Sequence, residues 1–178
     1  MVRTTPLQSP ELNAVLDARG WSQIDASHLY ASPLGAQEPD REGKCLPILD
    51  PAFLAAQQSL QGYDETTMGQ LRALLAATAV PACGVVLYRD GSPVASGLMA
   101  IAAGICITGN VVTDPRWRRQ GLAAAMMRTG LNWAGEHGAE WAALNVQADN
   151  LAAKALYRKL GYDHQYDYSY RIPPQEAP

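Results

Sequence analysis

The stretch of sequence that decides the fold is Arg118-Arg119-Gln120-Gly121-Leu122-Ala123. It follows a strand-like run at 110–113 and is predicted to open an alanine-rich helix over 118–136. The first N–H groups of a helix have no partner within the helix, and they lie at the positive end of its dipole. With a glycine that admits close approach and two arginines, the pattern predicts a site for a phosphate or pyrophosphate. The competing interpretation is a chance pair of basic residues beside a glycine that only relieves crowding at a turn.

A second informative segment follows at 150–162 and is predicted to be a short helix over 150–160. Asn150 is a favoured residue for the N-cap, and Gly161 is a favoured residue just after a helix. The apolar stripe of this helix consists of Ala153, Leu156 and Leu160.

Together these segments resemble the GNAT superfamily of acyl-CoA-dependent N-acetyltransferases. The family motif Arg/Gln-x-x-Gly-x-Gly/Ala is matched by Arg118, Gly121 and Ala123. The family motif Asn-x-x-Ala-x-x-x-Tyr is matched by Asn150, Ala153 and Tyr157. The resemblance is strongest over 94–172 and weaker before that. It implies an α/β (α+β) fold, with a mixed central sheet of about six to seven strands flanked by helices.

The resemblance also implies acetyl-CoA as the acetyl donor and a set of residues that hold it. The turn, including Gln120 and Leu122, would bind the pyrophosphate. Backbone groups of the preceding strand would grip the pantetheine and the acetyl carbonyl, and they belong to Val111, Val112 and Thr113. Asn150 and Ala153 would help to order the cofactor, although an N-cap role explains Asn150 equally well.

Tyr157 is the implied catalytic acid. A tyrosine titrates near ~10 and a thiol near ~8.5, so the phenol is protonated at neutral pH and can donate to the departing thiolate. The alternative is that Tyr157 only packs beside the apolar stripe.

A general base is harder to identify. In GNAT enzymes that acetylate protein N-termini, a carboxylate often stands where this chain has Asn145, and an amide has no useful basicity. An α-amine titrates near ~8 and a lysine-type amine near ~10.4. We therefore expect an acceptor amine of low pKa or deprotonation through ordered water, with Asp25, His28 and Glu65 as remaining candidate bases.

Three functions compete at this point. The first is transfer of an acetyl group from acetyl-CoA to a primary amine of a small molecule, amino acid or peptide, by direct attack in a ternary complex. The second is a catalytically silent module that binds acyl-CoA as a sensor or scaffold. The third is another nucleotide-binding α/β protein, which is disfavoured because no Gly-x-Gly-x-x-Gly or Walker motif is present.

The composition indicates which kinds of partner and which cellular compartment to expect. The net charge of −3 argues against a nucleic-acid partner. Cys45, Cys83 and Cys106 lack metal-ligand spacing and predict reduced thiols in a cytoplasmic protein, so no metal is expected. The N-terminus lacks the apolar core of a signal peptide. The uncharged run 94–112 is interpreted as two strands buried on both faces rather than a membrane span. A homodimer is compatible with the resemblance.

The chain is expected to comprise an N-terminal helix–strand element, 1–36, and a GNAT domain, 37–178, with the motif core at 94–172. Helices are predicted at 10–19, 51–61 and 65–79, a loop at 36–47, and extended structure at 21–34. Further strands are predicted at 82–88, 94–102, 105–113, 140–146 and 163–172, followed by a loose tail from Pro173. Residues 16–21 faintly echo 157–162, which indicates a relic of a tandem GNAT pair, a docking helix–strand element, or a coincidence.

The last predicted strand alternates strictly. It places His164, Tyr166, Tyr168 and Tyr170 on one face. This face either packs on the core or forms a tyrosine-lined wall beside the acceptor pocket.

Overall fold

The computed structural model describes residues 1–174 and contains five α-helices and eight strands. The helices are α1 (Glu11–Ala18), α2 (Pro51–Gln61), α3 (Glu65–Ala76), α4 (Leu122–Glu136) and α5 (Leu151–Lys159). The strands are β1 (Val2–Thr4), β2 (Ser22–Pro33), β3 (Gly43–Pro47), β4 (Ala82–Arg89), β5 (Ser92–Ala102), β6 (Ile105–Thr113), β7 (Trp141–Gln147) and β8 (Asp163–Ile172).

The mixed, helix-flanked sheet confirms the predicted fold class, with slightly more strands than expected. The surplus comes from β1 and from β3, which lies in the region predicted as a loop. Both are short edge strands, of three and five residues. Such strands are stabilised by pairing with a neighbour, as β3 pairs with β4, and not by a hydrophobic pattern of their own.

The chain divides into two compact units, which are described separately. The first unit comprises Met1–Ala31 and the chain from Leu144 onward, and the second comprises Ser32–Ala143, so that β7 is divided between them. In the first unit, β8 pairs antiparallel with both β1 and β2. In the second unit, the order β6-β5-β4-β3 is antiparallel throughout. The boundary predicted between 36 and 37 stays a prediction.

Helices α2 and α3 begin where the sequence places acidic caps. Asp50 accepts a hydrogen bond from the Ala52 N–H at 2.7 Å, and Asp64 accepts one from the Thr67 N–H at 2.8 Å. The two helices bury one core cluster with the sheet, comprising Phe53, Ala56, Met68, Leu71, Leu75 and Val86. A Cβ on Gly84 would lie 2.2 Å from the Phe53 ring. The absence of a side chain there therefore lets α2 pack closely on β4.

The uncharged run 94–112 forms most of β5 and β6, as predicted, and their turn lies at Ala103 and Gly104. The expectation that both strands are buried on both faces is wrong for β6. Ile105 is 38% exposed and Ile107 is 41% exposed, whereas Cys106 and Thr108 are buried. The start of β6 thus has one buried and one open face. Among residues 1–174, no helix is both long enough and apolar enough to cross a membrane.

The N-terminal segment docks on the sheet, which was one of the predicted alternatives. Helix α1 leads into β2, and β2 pairs antiparallel with β8 from Ser22 opposite Ile172 to Ala31 opposite Asp163. The predicted loose tail lies, except for Pro173 and Pro174, outside the described residues.

Strict alternation along β8 is wrong at His164. The pairing with β2 shifts register, since Leu29 lies opposite Tyr166 and Tyr30 opposite His164. One residue of β8 is therefore bulged, and a bulge reverses the face of the residues beyond it. The His164 Nε2 atom lies 2.6 Å from Asp167 Oδ1, on the face opposite to the one predicted.

Candidate active site

The segment before α4 is a tightly held turn. A 3-10 helix, Pro115–Trp117, is capped by Asp114, whose carboxylate accepts a hydrogen bond from the Arg116 N–H at 2.9 Å. The same carboxylate accepts from Arg116 Nη2 at 2.7 Å, and these hydrogen bonds hold the pKa of Asp114 below its usual value. The charge of Arg116 is thus used to hold the turn.

The predicted start of the long helix at residue 118 is wrong, because α4 begins at Leu122. Arg118 is extended, with φ −65° and ψ 158°, while Arg119 has φ 62° and Gly121 has φ 78°. Arg and Gln favour helices, so the residue types alone did not reveal a loop over 118–121. Gly121 is the N-cap and supplies no capping side chain. The first N–H groups of α4 are consequently left for a ligand.

Positive charge lies beside these N–H groups. Arg118, Arg119 and Gln120 are exposed, and among the described residues neither arginine forms an ion pair. Leu122 is buried and Ala123 is half-buried, so they anchor the first turn of α4 in the second unit. This arrangement suits an anion, as the sequence predicts.

The strand that leads to the turn carries a bulge. Ser96 of β5 lies opposite Val112, but Leu98 lies opposite Gly109, so β6 has one extra residue here, and Asn110 has φ 51°. Beyond the bulge, the Asp114 N–H donates to the Val94 carbonyl at 2.9 Å. Because donors alternate along a strand, Val112 also faces β5, whereas Val111 and Thr113 present their N–H groups to the other edge of β6.

Two glutamines of α2 hold this bulge, and sequence reasoning missed both. The fully buried Gln57 donates from Nε2 to the Asn110 carbonyl at 3.2 Å and to Ser96 Oγ at 2.9 Å. Gln61 donates to the same Asn110 carbonyl at 3.4 Å. The available signal was spacing, because Gln57 and Gln61 follow Phe53 at four-residue intervals along the face of α2 that packs on the sheet.

The first unit holds the other predicted residues. Asn150 caps α5, since its Oδ1 accepts from the Ala153 N–H at 3.0 Å, and Gly161 has φ 87°. Tyr157 is the most buried residue of α5, with 6% exposed, and its ring centroid lies 6.0 Å from that of Tyr162. Burial raises the pKa of Tyr157, so the phenol is protonated at neutral pH. Its role as acid stays a prediction.

The candidate bases lie in different surroundings. Asn145 is exposed on β7. Asp25 is exposed at a register shift of β2, with φ 49°. His28 contacts the Asp167 carboxylate through Nδ1. Glu65, in the first turn of α3, accepts a hydrogen bond from Gln58 Nε2 at 2.6 Å. The contacts of these four residues do not identify any of them as the general base.

Comparison with known proteins identifies the class. The model of the Acetyltransferase (GNAT) family matches residues 48–162, and the chain belongs to this family. This confirms the resemblance that the two motifs indicate.

Particular relatives agree with the family. The uncharacterised N-acetyltransferase YobR of Bacillus subtilis is 33% identical over 86 residues, 48% of this chain and 35% of that protein. The mycothiol acetyltransferase of Nocardiopsis dassonvillei is 38% identical over 69 residues, 38% of this chain and 21% of that protein. The matches thus span about a third and a fifth of these relatives.

Solved structures show the same fold. A GCN5-related N-acetyltransferase from Kribbella flavida superposes with a TM-score of 0.70 at 24% identity. The superposition covers 97% of this chain and 67% of that one.

Proposed function

We propose that this protein transfers an acetyl group from acetyl-CoA to a primary amine by direct attack in a ternary complex. The observation that carries the proposal is the start of α4. Its N-cap has no side chain, and it is preceded by two arginines that form no ion pair within residues 1–174, in a chain of the GNAT family. The pyrophosphate of acetyl-CoA is the anion for which this family uses such a turn.

In the proposed reaction, a small number of protein groups each carry out one step. The N–H groups of Val111 and Thr113 donate to the thioester carbonyl and stabilise the oxyanion that forms when the amine attacks, while Val112 supports them through its pairing with β5. The carbon–sulfur bond then breaks, and Tyr157 gives its proton to the departing thiolate. The proton that the amine loses leaves through water, since position 145 carries an amide.

The proposed acceptor is a small molecule, amino acid or peptide with an amine of modest pKa. At pH 7.5 about a quarter of an amine with a pKa near ~8 is already neutral, against about a thousandth of a lysine-type amine. The name of one relative, a mycothiol acetyltransferase, is consistent with a small-molecule acceptor. A cytoplasmic location and a homodimer stay predictions.

The test measures release of the CoA thiol from acetyl-CoA with a panel of amines whose pKa values range from about 7.5 to about 10.5. We expect turnover with at least one low-pKa amine, and mass spectrometry should find the acetyl group on its nitrogen. Tight binding of acetyl-CoA by calorimetry without thiol release across the panel would favour the silent acyl-CoA-binding module. Absence of acetyl-CoA binding would overturn both functions.

A further inference from the structure

Three side chains with metal-ligating atoms converge on the surface of the first unit. His28 of β2 contributes Nδ1, and His164 and Asp167 of β8 contribute Nε2 and a carboxylate oxygen. These atoms all lie within 4.8 Å of one another. Both histidine nitrogens contact the same oxygen, Asp167 Oδ1. The distance from His164 Nε2 to this oxygen is 2.6 Å. The acetyl-transfer proposal does not use this cluster as a unit.

The backbone fixes these three positions. His28 lies directly opposite Asp167 in the β2–β8 ladder, and His164 lies opposite Tyr30. The bulge in β8 is what brings His164 to the same face as Asp167. Side chains mounted on paired strands are held more rigidly than those on loops, which favours a defined ligand geometry.

The surroundings orient the two imidazole rings. They pack edge to face, with centroids 5.2 Å apart, and the Tyr30 ring lies 5.6 Å from that of His164. Tyr30 is buried and walls off the inner side of the cluster. The outer side is open, since the side chain of His28 is 20% exposed and that of Asp167 is 70% exposed. An ion can therefore enter from solvent.

The ligand chemistry is selective. Each of the three side chains offers one ligand atom, an imidazole nitrogen from each histidine and a carboxylate oxygen from Asp167, and neutral imidazole is the commonest metal ligand in proteins. Two imidazoles and one carboxylate suit zinc and similar divalent metals, whereas Ca²⁺ and Mg²⁺ prefer oxygen ligands alone.

We propose that His28, His164 and Asp167 form a site for a divalent transition metal of the Zn²⁺ type, with the remaining coordination position open to water. Zn²⁺ takes imidazole nitrogen and carboxylate oxygen at about 2.0–2.2 Å. Ligand atoms around a tetrahedral ion are therefore about 3.3 Å apart, somewhat wider than the present contacts. The contacts to Asp167 would have to lengthen to this separation, by rotation of the side chains, when the ion binds.

The bound metal would cross-link β2 and β8. Both strands contribute ligands, and they come from opposite ends of the chain. A ligand that binds only the folded state stabilises it in proportion to the logarithm of its concentration. The bound metal would thus hold β2 to β8.

The test uses protein without a histidine tag, freed of metal by a chelator and then titrated with Zn²⁺ in a calorimeter. We expect one Zn²⁺ per chain and a higher thermal midpoint in its presence. His164→Ala and Asp167→Ala should each weaken binding by at least about tenfold and remove the thermal shift, because each deletes one ligand. His137→Ala is the matched control, since His137 is the one histidine of the chain outside the cluster and lies at the end of α4. It should bind Zn²⁺ like the original protein.

Cobalt distinguishes this site from the thiols. Co²⁺ bound by imidazole and carboxylate lacks the near-ultraviolet thiolate-to-metal band that Cys45 would produce, and Cys45→Ser should leave the spectrum unchanged. Circular dichroism checks that each variant is folded, and His164→Gln and Asp167→Asn replace any alanine variant that is not. The proposal is overturned if Zn²⁺ does not bind, if these variants bind it unchanged, or if Co²⁺ shows the thiolate band.

Discussion

The two compact units carry different kinds of functional information. In the second unit, the candidate cofactor site is made of consecutive residues, 111–123, and works mainly through backbone N–H groups. In the first unit, the notable groups are side chains brought together from distant parts of the chain, such as His28 and Asp167. The difference shows that a site made of consecutive residues can be found as a local motif, whereas a cluster of distant side chains depends on the pairing of strands far apart in the sequence.

The largest effect is expected on acetyl-CoA affinity, when the turn before α4 in the second unit is altered. Arg118→Glu with Gly121→Asp reverses a charge and places a carboxylate at the N-cap, where it would itself occupy the free N–H groups of α4. A hydrogen bond to a charged group contributes ~1.5–3 kcal/mol, and each 1.4 kcal/mol is a factor of ten. Losing two should weaken acetyl-CoA binding at least ~100-fold. Calorimetry measures the affinity.

The control for this variant is Arg72→Glu, a charge reversal on the exposed side of α3 in the same unit. It should bind acetyl-CoA normally. Equal affinity of the double variant and the control would place the cofactor elsewhere.

The second prediction concerns a single side chain of the first unit. Tyr157→Phe keeps the ring and removes the hydroxyl, and loss of a general acid typically costs ~10²–10⁴-fold in rate. We expect kcat to fall by this amount, with little change in acetyl-CoA affinity. Steady-state kinetics and calorimetry on the same sample separate the two effects.

Tyr88→Phe is the matched control, because Tyr88 is a half-buried tyrosine on β4 that lies beside Lys44 and takes no part in the candidate site. It should retain normal turnover. If Tyr157→Phe is also fully active, Tyr157 only packs.

A smaller effect on kcat is expected when the side chain that holds the bulge of β6 is replaced. Gln57→Leu removes both amide hydrogen bonds to the bulge and to Ser96, and it should let the N–H of Val111 drift from its position. Small misplacements of this kind are costly to rate, and we expect kcat to fall about tenfold. The stability change should be under ~1 kcal/mol, because the substitution also removes the buried Gln57 Oε1, which lacks a partner within the described residues.

The neighbouring Gln58→Leu supplies the control, since Gln58 bonds to Glu65 instead. It should leave kcat unchanged. A Gln57→Leu variant that loses stability and activity together would indicate a merely structural role, and one with normal kcat would remove Gln57 from the site.

Sequence reasoning succeeded where the signal was local. The cap at Asn150 and the extents of α2 and β6 follow from neighbouring residues. It failed where distant pairing decides. The bulge that turns His164 toward Asp167 depends on the register with β2, and β3 depends on its partner β4. The start of α4 was misplaced because positive φ at Arg119 is set by the turn and not by residue type.

The smallest expected effect is at Asn145, and it tests whether the chain supplies a base at all. An amide cannot take the proton of the acceptor amine, so kcat/KM should rise with pH along the titration of the free amine and then level off. Asn145→Ala should change the amplitude of this profile and not its midpoint. A tuned general base would add an inflection near pH ~6–7.

Comparing acceptors with pKa values near ~8 and near ~10 shows whether an inflection comes from the amine or from the enzyme. Only an inflection from an enzyme group stays in place when the acceptor is exchanged. If such a fixed inflection appears, proton removal through water alone is excluded. Asp25→Asn, His28→Gln and Glu65→Gln then identify the base by which of them abolishes it.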